Sequence, residues 1–324
     1  MPGSLHSESA KEFYRQIGAP QRALSILENG FKLPFLDDNV PEFWYRNNKS
    51  LIKHFNFAEE KVNEWLEAGY IEETFSRPKH ISPLSVATRT LVSDEIKFRL
   101  CLDATFINDL LVSESTKLPT LELSESLIEK DDFFSTLDLQ NCYFHVKLHE
   151  SDHDKVAFAL PLTSEANESR YRYFVIKILV YGLKPATLVI HLLTKPLIDH
   201  LSRLKVKSTI YIDDIRCNSD SDISTSQDTL TIKEVFTRAG WIFNDSKETQ
   251  RTRRRFASRQ TKRLSSHRGQ NHRVRVSDHL YSQVMLLSLL HMGSKDSHQR
   301  GQMAQTGPIP KKDDRRLQKS DLVR

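Results

Sequence analysis

The stretch Ser208–Cys217, STIYIDDIRC, constrains this chain more than any other. Ile210, Tyr211 and Ile212 make an apolar, β-favouring run that halts at Asp213 and Asp214, and apolar residues resume with Ile215 and Cys217. The pattern predicts a β-hairpin whose tight turn is made of two adjacent carboxylates. Like charges at the tip of a buried hairpin repel each other and lose hydration, so something must offset them. Hard oxygen ligands suit Mg²⁺ or Mn²⁺ in that role. Taken alone, the pair also fits an ordinary turn, because Asp accepts turn dihedrals readily.

A further carboxylate narrows the choice. Phe133 to Val146 reads FFSTLDLQNCYFHV, a β-rich run ending at Asp138 just before an expected short helix. A carboxylate at the carboxyl end of a strand, opening onto a helix, stands where α/β sheets place functional groups. Strand-like runs follow at Lys155–Leu160 and Tyr171–Ile178, then a helix-like run at about Lys184–Leu204. Strand, helix, strand, strand, helix, strand is the β-α-β-β-α-β split pattern, so the expected class is α+β. Its first and last strands would bring Asp138 to face Asp213. Two metal ions roughly 3.5–4 Å apart between such carboxylates would activate a hydroxyl and stabilise a leaving pyrophosphate.

Several motifs then occur in a familiar order. Tyr211-Ile212-Asp213-Asp214 resembles the Y-x-D-D box of reverse transcriptases, and STLDLQNCYFHV resembles that family's first carboxylate motif, with an aromatic five residues later, Tyr143. KFRLCLD (Lys97 to Asp103), followed by Asn108, is similar to the fingers motif, and LVYGLKPA (Leu179 to Ala186) to the L-P-F-G-L block. GFKLPF, NNKS and SPLSV upstream resemble the leader and fingers of DIRS-like or Gypsy-like retrotransposon polyproteins. The likeness runs from about residue 25 to about 247.

That resemblance implies polymerase-type fingers and palm, the palm being a ferredoxin-like antiparallel sheet with helices on one face. The implied reaction is addition of deoxynucleotides to a primer 3′-end by two Mg²⁺ or Mn²⁺ ions held by Asp138, Asp213 and Asp214. Arg99, helped by Lys97, would clamp the triphosphate, because a guanidinium forks onto phosphate oxygens. Tyr143 would block a 2′-hydroxyl, and Tyr181 would line the nucleotide pocket beside Gly182, whose missing side chain lets backbone approach. Implied partners are an RNA or DNA template with primer, deoxynucleoside triphosphates, and other polyprotein parts such as RNase H, recombinase or integrase. Plain readings stand beside these: Arg99 as a surface charge paired with Asp103, Lys97 as a solvated side chain, Tyr143 as a core aromatic. His145, His149 and His153 are expected to follow strand-and-loop alternation and not to form a metal site.

The chain departs from the family pattern at Val180, where Pro is usual, at Thr187, and at Val92-Ser93-Asp94-Glu95 in the fingertip turn, where acidic residues would oppose a triphosphate. Charge is also split. Residues 249–324 carry 18 Lys+Arg against 5 Asp+Glu, whereas the chain as a whole has 47 against 42. Phosphate contacts favour a basic cleft, so the acidic body and the expected lack of a thumb imply a degenerate or truncated copy of reduced activity. An alternative is a non-catalytic nucleic-acid-binding remnant working through the Arg-rich tail, and another a template-free cyclase with a palm-like fold, which the fingers-like segment disfavours.

The expected organisation is a polar, low-order leader at 1–24, leader and fingers at 25–130, palm at 131–248 and a basic low-order tail at 249–324. Helices are expected at Phe57–Gly69 and Asp222–Gly240, the latter packing Leu230, Val235 and Phe236, with Pro196 kinking or dividing the helix after Lys184. Trp241 should begin a strand. Cys101, Cys142 and Cys217 lack metal spacing and read as buried thiols of a reducing compartment. No run of eighteen apolar residues and no charged-then-apolar leader is present, so an intracellular protein, cytoplasmic or nuclear and off the membrane, is expected.

Overall fold

A computed structural model describes residues 4–252, apart from residues 38, 91–93, 115–117, 119–125, 130, 131, 165–169 and 245–248. The Arg-rich stretch and most of the basic tail therefore lie outside the described residues, as do Val92 and Ser93 of the fingertip. Helices α1 (Glu8–Gln16) and α2 (Gln21–Asn29) precede β1 (Phe43–Trp44), α3 (Lys49–Lys53), α4 (Phe55–Glu67) and β2 (Ile71–Thr74). Then come β3 (His80–Ser82), β4 (Leu84–Thr90), β5 (Ile96–Leu102), α5 (Thr105–Asp109) and β6 (Phe133–Asp138). After β7 (Ala157–Pro161) and β8 (Tyr171–Ile176) lie α6 (Ala186–Arg203), β9 (Ser208–Tyr211), β10 (Asp214–Ser219), α7 (Asp222–Arg238) and β11 (Thr249–Thr252).

Among the described residues the strands form three sheets. β6 lies between β11 and β10 in an antiparallel sheet ordered β11-β6-β10-β9. Leu137, Ile210, Ile215 and Cys217 point to its inner face, and all four are buried. Helices α6 and α7 pack against that sheet, and the Cys217 thiol lies 3.5 Å from the Thr229 hydroxyl of α7. The second sheet is mixed and ordered β1-β3-β7-β8-β2. The third is a ribbon of β4 and β5 alone.

This corrects the split pattern read from the sequence. β7 and β8 were expected to share a sheet with Asp138, yet they pair with each other and with β3 and β2. All five residues of β7 are buried, so the strand has no polar face to reveal which sheet it joins. The class remains mixed α and β.

Residues expected as a low-order leader instead build part of the core. Ser7 caps α1, accepting from the Ala10 amide at 3.2 Å, and Ala10, Phe13 and Tyr14 follow at one-turn spacing on its buried side. Leu5 lies so close to the end of α7 that a Cβ on Gly240 would stand 2.4 Å from the Leu5 nitrogen, and Gly240 also has φ +88°. Only glycine meets both demands.

Three smaller readings change. The helix containing Pro196 continues undivided from Ala186 to Arg203. Leu230 is 66% exposed, while Val235 and Phe236 are buried as expected. Trp241–Phe243 forms no strand; Phe243 makes an isolated bridge to Leu139. Backbone pairing resumes with β11, past the boundary placed at residue 248. Among the described residues no helix is long and apolar enough to cross a membrane.

His6 ties the N-terminal segment to the body. Its Nε2 accepts from the Lys147 amide at 2.9 Å and its Nδ1 lies 2.9 Å from the Leu27 carbonyl, which fixes a neutral ring donating from Nδ1. Burial lowers its pKa to about 4. The unfolded chain therefore takes up this proton first, near the ordinary value of 6.5. Stability from this group should be complete above that value and fall as pH drops toward 4, by up to ~3 kcal/mol. Urea titrations from pH 7 to pH 4 on the wild type and His6→Gln should diverge across that window, and parallel curves would show that His6 is not the linked group.

Candidate active site

Three carboxylates stand at one end of the β6–β10 ladder. Asp138 and Asp214 are direct cross-strand partners, so their Cβ atoms share a face. That face also carries Thr136 and Arg216, opposite the helix-packed side. Tyr211 pairs with Asp214, which leaves Ile212 and Asp213 as the two turn residues. The turn thus lies one residue earlier than the sequence pattern indicated, and Asp214 opens β10. The Asp213 carbonyl accepts from the Leu139 amide at 2.9 Å, and the Asp138 carbonyl from the Asn244 amide at 2.8 Å. Backbone bonds therefore fix both positions. Asp138 is buried, Asp213 half-buried and Asp214 exposed.

Ile212 has φ +61°. A positive φ at the first turn residue is the II′ sign pattern that suits a hairpin, and glycine normally fills it. In a β-branched residue the conformation is strained, and Ile212 is also buried. Strain of this kind persists where the surroundings over-determine the backbone, often at functional sites.

Asn141, also at positive φ, turns the chain after β6 into the 3₁₀ turn Cys142–His145. The Cys142 thiol is raised above its ordinary range, first by burial and then by Asp213, with Asp138 and Asp214 adding to it. All three carboxylates thus act on one point. The Tyr143 phenol is also raised, chiefly by burial and then by Cys142, with a bond to Thr187 opposing and Asp213 adding. Tyr143 and Tyr181 meet edge to face at 4.5 Å, and Phe144 lies 5.6 Å from Tyr181. Tyr181 keeps 40% of its surface exposed, yet partial burial raises its phenol as well, followed by Cys142, Asp213 and Tyr143, while Arg99 works against them. Gly182 follows at φ +92° in an open position.

Arg99 and Lys97 lie on one face of β5. Arg89 of β4 stands directly opposite Lys97, so the ribbon presents three cations on one face. Sequence reading did not pick out Arg89. The equal-length arms of the ribbon were the available signal, since register places Arg89 opposite Lys97 once Leu84 pairs with Leu102. The three histidines scatter: His145 stacks on Trp241, His149 caps its own turn and His153 lies near the Leu148 carbonyl. The cysteines are unbridged.

The donor set fits a hard divalent ion in kind, since it is made of carboxylate oxygens only. Among the described residues, no three acidic, His or Cys side chains already stand as a metal-holding group. The backbone brings the carboxylates to one ladder end without gathering them into a cage.

Comparison with known proteins adds an independent observation. The chain is 24% identical over 207 residues to the human endogenous retrovirus group K member 9 Pol protein, covering 54% of this chain and 18% of that protein. It is 32% identical over 107 residues to the Gag-Pro-Pol polyprotein of Mason-Pfizer monkey virus, covering 33% of this chain and 6% of the polyprotein. With the retrovirus-related Pol polyprotein from transposon gypsy of Drosophila melanogaster it shares 24% identity over 189 residues, covering 57% of this chain and 17% of that protein. The chain therefore matches less than a fifth of the length of each. The reverse transcriptase (RNA-dependent DNA polymerase) profile matches residues 93–275, more than half of the chain, including every candidate site residue except Arg89. The chain belongs to the reverse transcriptase family.

Proposed function

We propose that this chain supplies the fingers and palm of a template-directed DNA polymerase working on a primed RNA or DNA strand, as part of a larger retroelement polyprotein. The pairing of Asp138 with Asp214, with Asp213 in the adjoining turn, carries the reading. In this assignment Asp138 and Asp213 would hold two Mg²⁺ or Mn²⁺ ions and Asp214 would support them. Such ions supply charge that makes a primer hydroxyl a better nucleophile and steadies the departing pyrophosphate.

The chain's other residues bind and orient. Arg99 and Lys97 take the triphosphate, with Arg89 beside them. Tyr143 supports the sugar of the incoming nucleotide, and Tyr181 with Gly182 lines the pocket. What favours this grouping is that Tyr143 and Tyr181 meet edge to face at 4.5 Å, while Asn108, just after the strand of Arg99, bonds the Gly182 carbonyl. RNase H and integrase or recombinase segments of the polyprotein, and a cytoplasmic or nuclear setting, complete the proposal.

Primer extension on poly(rA)–oligo(dT) with Mn²⁺ is the direct test, and dTMP incorporation is the expected result. Tyr143→Ala should raise ribonucleotide relative to deoxynucleotide incorporation. One methylene is worth about 1–3 kcal/mol in discrimination, and loss of a whole ring should exceed that. Because Tyr143 is 7% exposed, Tyr143→Phe provides the control: it keeps the ring and should keep the preference. An unchanged ratio in Tyr143→Ala would return this residue to the core.

A further inference from the structure

The segment Leu179–Pro185, which carries Tyr181 and Gly182, belongs to no strand or helix. Its entry is fixed by the Leu179 amide, which donates to the Val146 carbonyl at 2.8 Å, and its exit by the first turn of α6. Between these ends, the Gly182 carbonyl and the Lys184 amide need partners of opposite kind. Asn108 supplies both. Its Nδ2 donates to the Gly182 carbonyl at 2.7 Å, and its Oδ1 accepts from the Lys184 amide at 2.7 Å. Only one orientation of the side-chain amide satisfies both bonds, and no other residue of that length offers a donor and an acceptor together. Lys184 extends the link, its Nζ donating to the Leu111 carbonyl at 2.8 Å.

Asn108 belongs to α5, which is joined tightly to the cationic ribbon. Asp103 follows β5 directly, its amide donating to the Pro83 carbonyl at 2.8 Å, and its carboxylate accepts from the Thr105 amide and hydroxyl. Arg99 and the Tyr181–Gly182 turn are 80 or so residues apart in sequence, and the Asn108 amide ties their elements. Asn108 is only half-buried, so its bonds contribute little to global stability beside the core. Their effect falls on the placement of one loop.

We propose that Asn108 is a positioning residue that sets the Tyr181–Gly182 turn against the strand bearing Arg99, and so shapes the pocket for the incoming deoxynucleoside triphosphate. This rests on the polymerase reading above. In Asn108→Ala both backbone groups turn to water and the turn moves relative to Arg99. Asn108→Asp keeps an acceptor for the Lys184 amide but faces the Gly182 carbonyl without a donor, so it should recover part of the effect.

The test uses the full chain as wild type, Asn108→Ala and Asn108→Asp, with three readouts: amide exchange at Lys184, equilibrium binding of Mg²⁺·dTTP in the presence of poly(rA) and a dideoxy-terminated oligo(dT) primer, and melting temperature. The expected result for Asn108→Ala is faster exchange at Lys184 and dTTP affinity weaker by at least about tenfold, ~1.4 kcal/mol of binding free energy. Melting should shift little, and Asn108→Asp should restore protection at Lys184. A purely structural role would move melting and leave affinity unchanged. Normal dTTP binding by wild type with equal affinity in Asn108→Ala would overturn the positioning role alone. Absence of dTTP binding by wild type would instead remove the polymerase reading, and the pocket with it.

Discussion

Asp213→Asn is expected to abolish primer extension by this chain, by at least about a thousandfold, the scale of several kcal/mol of charge stabilisation at the reacting phosphate. The fold should remain. Asn accepts turn conformations as Asp does, and the bond from the Leu139 amide goes to the Asp213 main-chain carbonyl, which the substitution keeps. A readout independent of synthesis is available. An ion that binds only the folded state stabilises it by RT ln(1 + [L]/Kd), about 2.7 kcal/mol at a hundredfold excess over Kd. Mn²⁺ should therefore raise the melting temperature of wild type and much less that of Asp213→Asn. The carboxylates are not gathered into a three-ligand group beforehand, so this shift would report the ion drawing them together. Identical shifts in the two proteins would place the metal elsewhere.

The site was legible in the sequence to the extent that its parts are local. Asp138, Asp213 and Asp214 each end or begin a short β-favouring run, and such runs announce themselves by pattern. The turn was misplaced by one residue because no sequence rule puts an isoleucine at positive φ. Tertiary packing imposes that conformation on Ile212. Arg89 and the double role of Asn108 were hidden for another reason. Both depend on what lies across a ribbon or at the far end of a loop, and the contact joining Asn108 to Gly182 spans 74 residues.

The fold was legible element by element and much less so in its pairing. Helix α4 keeps Val62 buried with Trp65 and Leu66 packed against the core, as its spacing indicated. The sheet assignment failed because β1 and β3 are two and three residues long and run parallel to their neighbours. Strands so short carry no period, and a parallel neighbour needs no nearby turn to announce it. With β3 unrecognised, the β7–β8 pair had no visible neighbour except the sheet holding Asp138.

The N-terminal helix was missed because its composition is polar, and its weight in the fold is what Tyr14→Ala should expose: a loss of about 3–5 kcal/mol, the range for emptying a large aromatic site. Tyr14 is completely buried, and its phenol joins three distant segments. It donates to the Leu193 carbonyl of α6 at 2.9 Å and accepts from the Trp241 indole at 3.1 Å. Trp241 is itself 1% exposed and stacks on His145, two residues beyond Tyr143. Burial holds the phenol protonated well beyond the physiological range, so the same bonds should persist at any pH at which the fold survives. Tyr14→Phe separates the two contributions. It preserves the ring but leaves the Trp241 N–H buried without an acceptor, at a cost of about 1–3 kcal/mol. Urea unfolding of the full chain should therefore rank wild type above Tyr14→Phe and Tyr14→Phe above Tyr14→Ala. If both variants stay within ~0.5 kcal/mol of wild type, the scale of an ordinary surface substitution, the first helix does not pack on α6 as described, and the support it gives the turn beneath Tyr143 goes with it.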